Sequence, residues 1–171
     1  MSKPNFEQLD ISPEIIKALH SRGYYEPTEV QLLAIPPLLE WRDLIAKAPT
    51  GTGKTFAFGI PILEHIDVQE KNVQALILAP TRELALQIGS ELREISEFLP
   101  GIKVVCVYGG QPISKQIRAF SKKPQIVVAT PGRLLDHINR RTISINRVST
   151  AVLDEADRMV DLGFFQDVSR I

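Results

Sequence analysis

The octapeptide Ala48-Pro-Thr-Gly-Thr-Gly-Lys-Thr55 holds the residue types that grip a polyanion. Gly51 and Gly53 let the backbone curl until successive N–H groups converge, and a helix opening behind them adds its positive end. In such a loop Lys54 reaches the terminal groups of a triphosphate, and the Thr55 hydroxyl ligates Mg²⁺. Pro49 has no N–H to donate, and Ala48 stands where G-x-x-x-x-G-K-[ST] begins with glycine. The cofactor-binding stretch is therefore Ala48, Pro49, Thr50, Gly51, Thr52, Gly53, Lys54 and Thr55. A plain glycine turn with a solvated Lys54 is the alternative. The apolar run before the loop and the helical pattern after it favour the phosphate site.

About 100 residues downstream, the run from Val148 to Leu153 leads directly into Asp154-Glu155-Ala156-Asp157. Carboxylates at the carboxyl end of a strand sit where α/β sheets bind ligands. Asp154 suits Mg²⁺, mostly through water because that ion gives up its hydration reluctantly. Glu155 suits the orientation or deprotonation of an attacking water. Lys54, Asp154 and Glu155 form the expected catalytic set, with Thr55 and Asp154 on the metal. Four such letters alone also describe a polar loop capping the next helix; the upstream glycine loop makes that the weaker reading.

The elements that must position these groups alternate. Short apolar runs at Leu44 to Lys47, Ala75 to Ala79, Ile102 to Val107, Gln125 to Ala129 and Val148 to Leu153 read as strands covered on both faces. Helical patterns separate them, the clearest after Thr81, where Leu84, Ile88, Leu92, Ile95 and Leu99 form one stripe. Ser12 and Pro13 mark a helix start and Gly23 its stop, while Pro61 predicts a kink in the helix after Lys54. The order predicts an α/β fold, a mainly parallel twisted sheet flanked by helices.

At 171 residues the chain is one domain's worth of sequence, and 44% hydrophobic with 23% charged residues is an ordinary globular balance. No apolar run approaches the roughly 20 residues of a membrane span, and the start lacks an apolar secretory region, so no membrane partner is expected. Cys106 is the only cysteine, which excludes an internal disulfide and a cysteine-based zinc site and suits a reducing, cytoplasmic setting. The formal net charge is zero, so any nucleic acid must be held by local groups and not by a global field.

Together with further motifs, these residues resemble the DEAD-box ATP-dependent RNA helicases. Gly23-Tyr-Tyr-Glu-Pro-Thr-Glu-Val-Gln31 is similar to that family's adenine-reading Q motif, spanning about residues 4–32 with Phe6 upstream. Pro80-Thr-Arg-Glu-Leu-Ala85, Gly109-Gly110 and Thr130-Pro-Gly-Arg-Leu134 follow in the family's order, and Met159, Gly163 and Phe164 are also in pattern. The resemblance covers essentially all of 1–171 and implies a RecA-like, ATP-binding first domain. It implies that Gln31 bonds the adenine edge and that Phe6 stacks on its face. An amide offers both donor and acceptor for that edge, but Thr28 to Gln31 is also a capping box that would occupy the same amide. The resemblance further implies RNA contacts from Pro80, Thr81, Arg82, Gly109, Gly110, Thr130, Pro131, Gly132 and Arg133. Such residues touch phosphates and sugars and tolerate any sequence. Arg82 has a second reading, as a brace between motifs.

Departures from the family pattern are Ala48, Glu29 where proline or serine is usual, and Trp41 where glycine is usual. A left-handed backbone would strain Trp41, which reads as a surface substitution. The resemblance also implies a second RecA-like domain and a Ser-Ala-Thr motif, neither of which lies within the 171 residues. The strand leading to that motif belongs between the strand before the loop and the strand before Asp154. Its omission predicts a gap of about 9.6 Å with unpaired backbone on both sides, and a fold incomplete at its C-terminal end. The implied activity is ATP hydrolysis coupled to local RNA unwinding. The 171 residues alone are expected to be nearly inert, since a missing arginine finger costs about 10³ to 10⁵ in rate. An ATP-gated RNA clamp or chaperone is the alternative; a DNA translocase is disfavoured by the Q motif.

Overall fold

The computed structural model describes residues 4–171. They fall into two compact units, one comprising the residues up to 66 with 91–101, the other 67–90 with 102–171.

The first unit is helical. A 3-10 turn, η1 (Phe6–Leu9), precedes α1 (Pro13–Ser21), α2 (Glu29–Leu39) and α3 (Lys54–His65), and the unit also takes the last turn of α4 (Arg82–Ile95). Its core gathers Phe6, Ile15, Leu19, Ile35, Ile60, Leu92 and Ile95, each at most 1% exposed. Pro13 occupies the first position of α1, and Gly23, at φ 82°, ends the helix by donating to His20 O at 3.0 Å. Ser12 holds the N-cap position without a side-chain capping bond; its own N–H donates to Glu64 Oε1 at 2.7 Å. α3 runs unbroken through Pro61. Gly59 lets it approach Leu92, since a Cβ there would lie 2.8 Å from Leu92 Cδ2.

The expected strand from Leu44 to Lys47 does not form. This segment pairs with no strand among the described residues, and Ile45 is fully exposed. An apolar run becomes a strand only when a neighbour accepts from its N–H groups and donates to its C=O groups, and no segment among the described residues does so.

The second unit carries the sheet. Strands β1 (Ala75–Leu78), β2 (Val104–Val107), β3 (Ile126–Ala129) and β4 (Thr150–Leu153) match the other four expected runs, each shortened at one end. All pairs are parallel, in the order β2-β3-β1-β4. Helices α5 (Ile113–Phe120), α6 (Pro131–Asn139), α7 (Ala156–Asp161) and α8 (Phe165–Arg170) follow β2, β3 and β4 in the chain. The α/β, mainly parallel expectation holds. Leu76, Leu78, Val107, Val127, Ala129, Leu134 and Met159 form the core. β1 and β3 are buried throughout, as inner strands are, whereas β4 is an edge strand with Leu153 49% exposed. Its outer side pairs with no strand among the described residues.

Candidate functional site

In the first unit the glycine loop takes the curl its residues permit. Gly51 and Gly53 sit at φ 80° and 84°, in the left-handed region that side chains avoid, and Gly53 is the N-cap of α3. Thr52 Oγ1 donates to Pro49 O at 2.7 Å, and Lys54 Nζ donates to Ala48 O at 2.9 Å. The lysine thus bridges the loop that an anion would occupy. Thr50 and Gly51 are exposed, while Thr55, on the first turn of α3, is nearly buried.

Gln31 joins this loop to the Q-motif segment. It lies at the third position of α2, where its Oε1 accepts from Thr28 N at 2.9 Å and completes the capping box. Its Nε2 donates to Gly53 O at 3.0 Å. Both ends of the amide are therefore engaged within the protein, and the side chain is 3% exposed. A role on adenine requires one of these bonds to open. Phe6 is 1% exposed in the core of its unit, so its ring has no face available here, and stacking likewise requires η1 to move. The exposed aromatic groups nearby are Tyr24, packed edge-on against Phe56 at 5.1 Å, and Tyr25, tilted on His20 at 5.0 Å.

Trp41 does adopt a left-handed backbone, at φ 61°, and is 57% exposed. It is nevertheless partnered, lying flat on His65 with ring centroids 3.8 Å apart and planes 12° from parallel. Sequence reasoning missed this stack because the two residues are 24 positions apart.

In the second unit the register decides what meets. Leu78 is level with Ala129 of β3 and Leu153 of β4, and Ala129 with Val107 of β2. The residues following all four strands therefore emerge at one edge of the sheet, its carboxyl end. These are Pro80, Thr81 and Arg82 after β1, Gly109 and Gly110 after β2, Thr130 to Arg133 after β3, and Asp154 and Glu155 after β4. Motifs scattered over 75 residues of sequence are brought to one line.

Their side chains have definite tasks. Thr81 Oγ1 caps α4 by accepting from Leu84 N at 3.2 Å. The Arg82 guanidinium lies over the Tyr108 ring, 4.9 Å from its centroid, next to Gly110 at φ 80°. The contact joins the start of α4 to the turn after β2. Thr130 sits at the N-cap of α6 without a side-chain capping bond, Pro131 is buried in the first turn, and Gly132 is exposed. Arg133 Nη1 donates to Gln111 O at 2.8 Å and to Gln116 Oε1 at 3.3 Å, tying the Gly110 turn to α6. The part played by Gln111, Gln116 and His137 escaped the sequence reading. The only signal was that His137 and Arg133 share a helical face at four-residue spacing.

Asp154 Oδ1 accepts from Glu155 N at 3.0 Å, and Glu155 takes a left-handed φ of 49°. Glu155 Oε2 lies 3.5 Å from Arg158 Nη1, a loose pair that leaves the carboxylate adaptable. No group of three His, Cys, Asp or Glu side chains able to hold a metal occurs among the described residues. A hydroxyl such as Thr55 and a carboxylate such as Asp154 suit Mg²⁺, which keeps several waters and takes phosphate oxygens, better than a cation that needs an all-protein cage.

Residues 28–171 match the DEAD/DEAH box helicase family. The chain is 51% identical to the ATP-dependent RNA helicase CshA of Listeria monocytogenes, over 97% of this chain and 32% of that protein. It is 50% identical to the CshA helicase of Bacillus subtilis, over 97% of this chain and 33% of the relative. The chain thus spans about a third of the length of these curated relatives. Among solved structures, a DEAD box protein from Methanococcus jannaschii superposes with a TM-score of 0.92 at 41% identity, covering 97% of this chain and 45% of that one. The RNA helicase Prp28 from Chaetomium thermophilum, bound to ADP, gives 0.90 at 41% identity over 100% of this chain and 43% of its own. No helix among the described residues is long and apolar enough to cross a membrane. On its sequence and its RecA-like α/β fold alike, the chain belongs to the DEAD/DEAH box helicase family.

Proposed function

We propose that the protein to which this chain belongs hydrolyses ATP in order to bind RNA and separate short duplexes, and that these residues form its first RecA-like domain. The observation that carries this reading is the single carboxyl edge of the sheet. Asp154 and Glu155 leave β4 on the same line from which Arg82, the Gly109-Gly110 turn and Arg133 leave the neighbouring strands. Any change in what the carboxylates bind reaches the RNA-side residues through one rigid ladder.

The glycine loop supplies N–H groups and the end of α3 for the phosphates, and Lys54 exchanges its bond to Ala48 O for a terminal phosphate oxygen. Magnesium, when bound, neutralises phosphate charge; Thr55 and Asp154 are the residues to hold it. Glu155 orients the attacking water and takes its proton. Gln31 gives up Thr28 N–H or Gly53 O to read adenine, and Phe6 leaves the core to stack on it. Thr81, Thr130, the glycine turns, Arg82 and Arg133 meet RNA phosphates and sugars without reading bases. A second RecA-like domain completes both sites, so the 171 residues alone turn over negligibly.

The test is ATP turnover by the protein with its second domain, in the presence of single-stranded RNA or DNA of one sequence. RNA-specific stimulation, abolished by Lys54→Ala and by Glu155→Gln, is the expected result. If Glu155→Gln removed turnover while every RNA-dependent function persisted, the clamp reading would replace the motor. Equal stimulation by DNA would overturn RNA as the substrate.

A further inference from the structure

The second unit contains a buried polar pair that lies outside the assigned motifs. His137 is fully buried and Gln116 is 2% exposed. Gln116 Nε2 donates to Tyr108 O at 2.8 Å and to Gln111 Oε1 at 3.1 Å. A backbone carbonyl only accepts, so the amide cannot be turned round, and Gln116 Oε1 is the atom that faces His137 Nε2 at 2.8 Å. That oxygen has to be met by an N–H, so the ring carries its proton on Nε2. Nδ1 is then left to accept from the Thr142 hydroxyl at 2.7 Å, and that hydroxyl's single proton goes to the ring in preference to His137 O, which lies 3.1 Å away. The same Gln116 oxygen also receives Arg133 Nη1, whose other bond goes to Gln111 O.

We infer that Gln116 and His137 are positioning residues for RNA binding: they lock Arg133 onto the Tyr108–Gln111 turn, so that its remaining guanidinium nitrogens are held ready for a phosphate. The inference rests on the proposed RNA role of Arg133. A buried histidine–glutamine pair costs desolvation that apolar residues would not, and a satisfied network yields a unique geometry in return. Here that geometry ends on a half-buried arginine at the carboxyl edge of the sheet. Nη1 is occupied, and an arginine fixed at one nitrogen presents the opposite edge of its fork without losing rotamer freedom when an anion arrives.

The test measures binding of a fluorescein-labelled oligouridine RNA to the protein with its second domain, against salt. Each phosphate contact on single-stranded nucleic acid contributes about 0.7 to the slope of log affinity against log salt. Arg133→Ala should lower the slope by about that much, making the affinity loss between about 50 and about 200 mM salt about 2.5-fold smaller. Gln116→Leu and His137→Phe should reproduce the change with Arg133 still present, and neither should add to it in an Arg133→Ala background. His137→Gln, which can return an N–H to Gln116, should restore the slope. An unchanged slope in Arg133→Ala, or no salt-sensitive binding by the parent protein with its second domain, removes the RNA reading and this inference with it. If Arg133→Ala lowers the slope while Gln116→Leu and His137→Phe lower only the unfolding midpoint, the RNA reading stands and positioning is refuted. Nitrogen NMR of the histidine rings needs no variant: an Nε2-protonated His137 supports the network, and an Nδ1-protonated one overturns it.

Discussion

Replacing Gly53 and Gly51 by alanine, one at a time, separates two costs that glycine loops usually confound. Both residues have φ near 80°, so both variants carry the left-handed penalty of about 1–2 kcal/mol, reduced by about 0.4–1 kcal/mol because alanine restricts the unfolded chain. At Gly51 nothing lies within 4 Å of the added Cβ, and the net loss should stop at about 1 kcal/mol. At Gly53 the Cβ would overlap Gln31 Nε2, with Gln31 Cδ at 3.3 Å and Thr28 Oγ1 at 3.4 Å. The amide must swing away, which breaks its bond to Gly53 O and strains the capping box. A buried amide left without its partner costs about 1–3 kcal/mol. Gly53→Ala should therefore be less stable than Gly51→Ala by about 2 kcal/mol, or about 4–8 °C in midpoint for a chain of this size. The assay is thermal unfolding followed by circular dichroism. Truncating the obstacle provides the control, since in a Gln31→Ala background the two alanine variants should cost the same. Equal midpoints for the two single variants, or a Gly53→Ala excess that survives Gln31→Ala, would refute the coupling of Gln31 to the loop.

Trp41 tests how strain and stacking offset each other. Trp41→Ala loses the His65 stack but keeps the left-handed backbone, whereas Trp41→Gly loses the stack and relieves the strain. The glycine variant should unfold above the alanine variant by about 2–4 °C, the equivalent of about 1 kcal/mol; identical midpoints would mean that the turn relaxes freely. His137 predicts a pH dependence. Burial chiefly holds its pKa below the ordinary 6.5, with Arg133 and Arg140 acting in the same direction and Asp136 opposing them. The unfolded chain therefore takes up this proton at a higher pH than the folded one. The stability due to the neutral ring is complete above the unfolded value and is lost as pH falls through the lowered folded value. Between about pH 7.5 and about pH 5.5 the midpoint of the parent chain should fall more steeply than that of His137→Gln. Parallel curves would show that His137 keeps its ordinary affinity for protons.

Much of this molecule is decided locally and so was legible in its letters. Four of five strands follow from continuous apolar runs, the mark that a covered strand leaves in a sequence, although β4 proves to be a half-exposed edge. The helix starts at Pro13 and Glu29, the stop at Gly23 and the curl at Gly51 and Gly53 depend on neighbours within four residues. Family motifs were likewise readable, because each is a contiguous segment. What the chain alone could not say is which bonds those segments make. Gln31 had two readings of equal standing, and only its placement against Gly53 showed the amide engaged at both ends. The resemblance places Phe6 on adenine, and only the fold shows its ring buried in the core. The run from Leu44 to Lys47 has the letters of a strand and is none, because strand formation belongs to a pair of segments and its partner is not among the described residues. The Gln116–His137–Arg133 chain joins three turns of two helices to a loop, and Trp41 finds His65 across 24 residues. Periodicity is a property of one segment and survives in sequence; hydrogen bonds and ring contacts between distant segments exist only after the helices and strands have packed, so the tertiary fold alone assigns them.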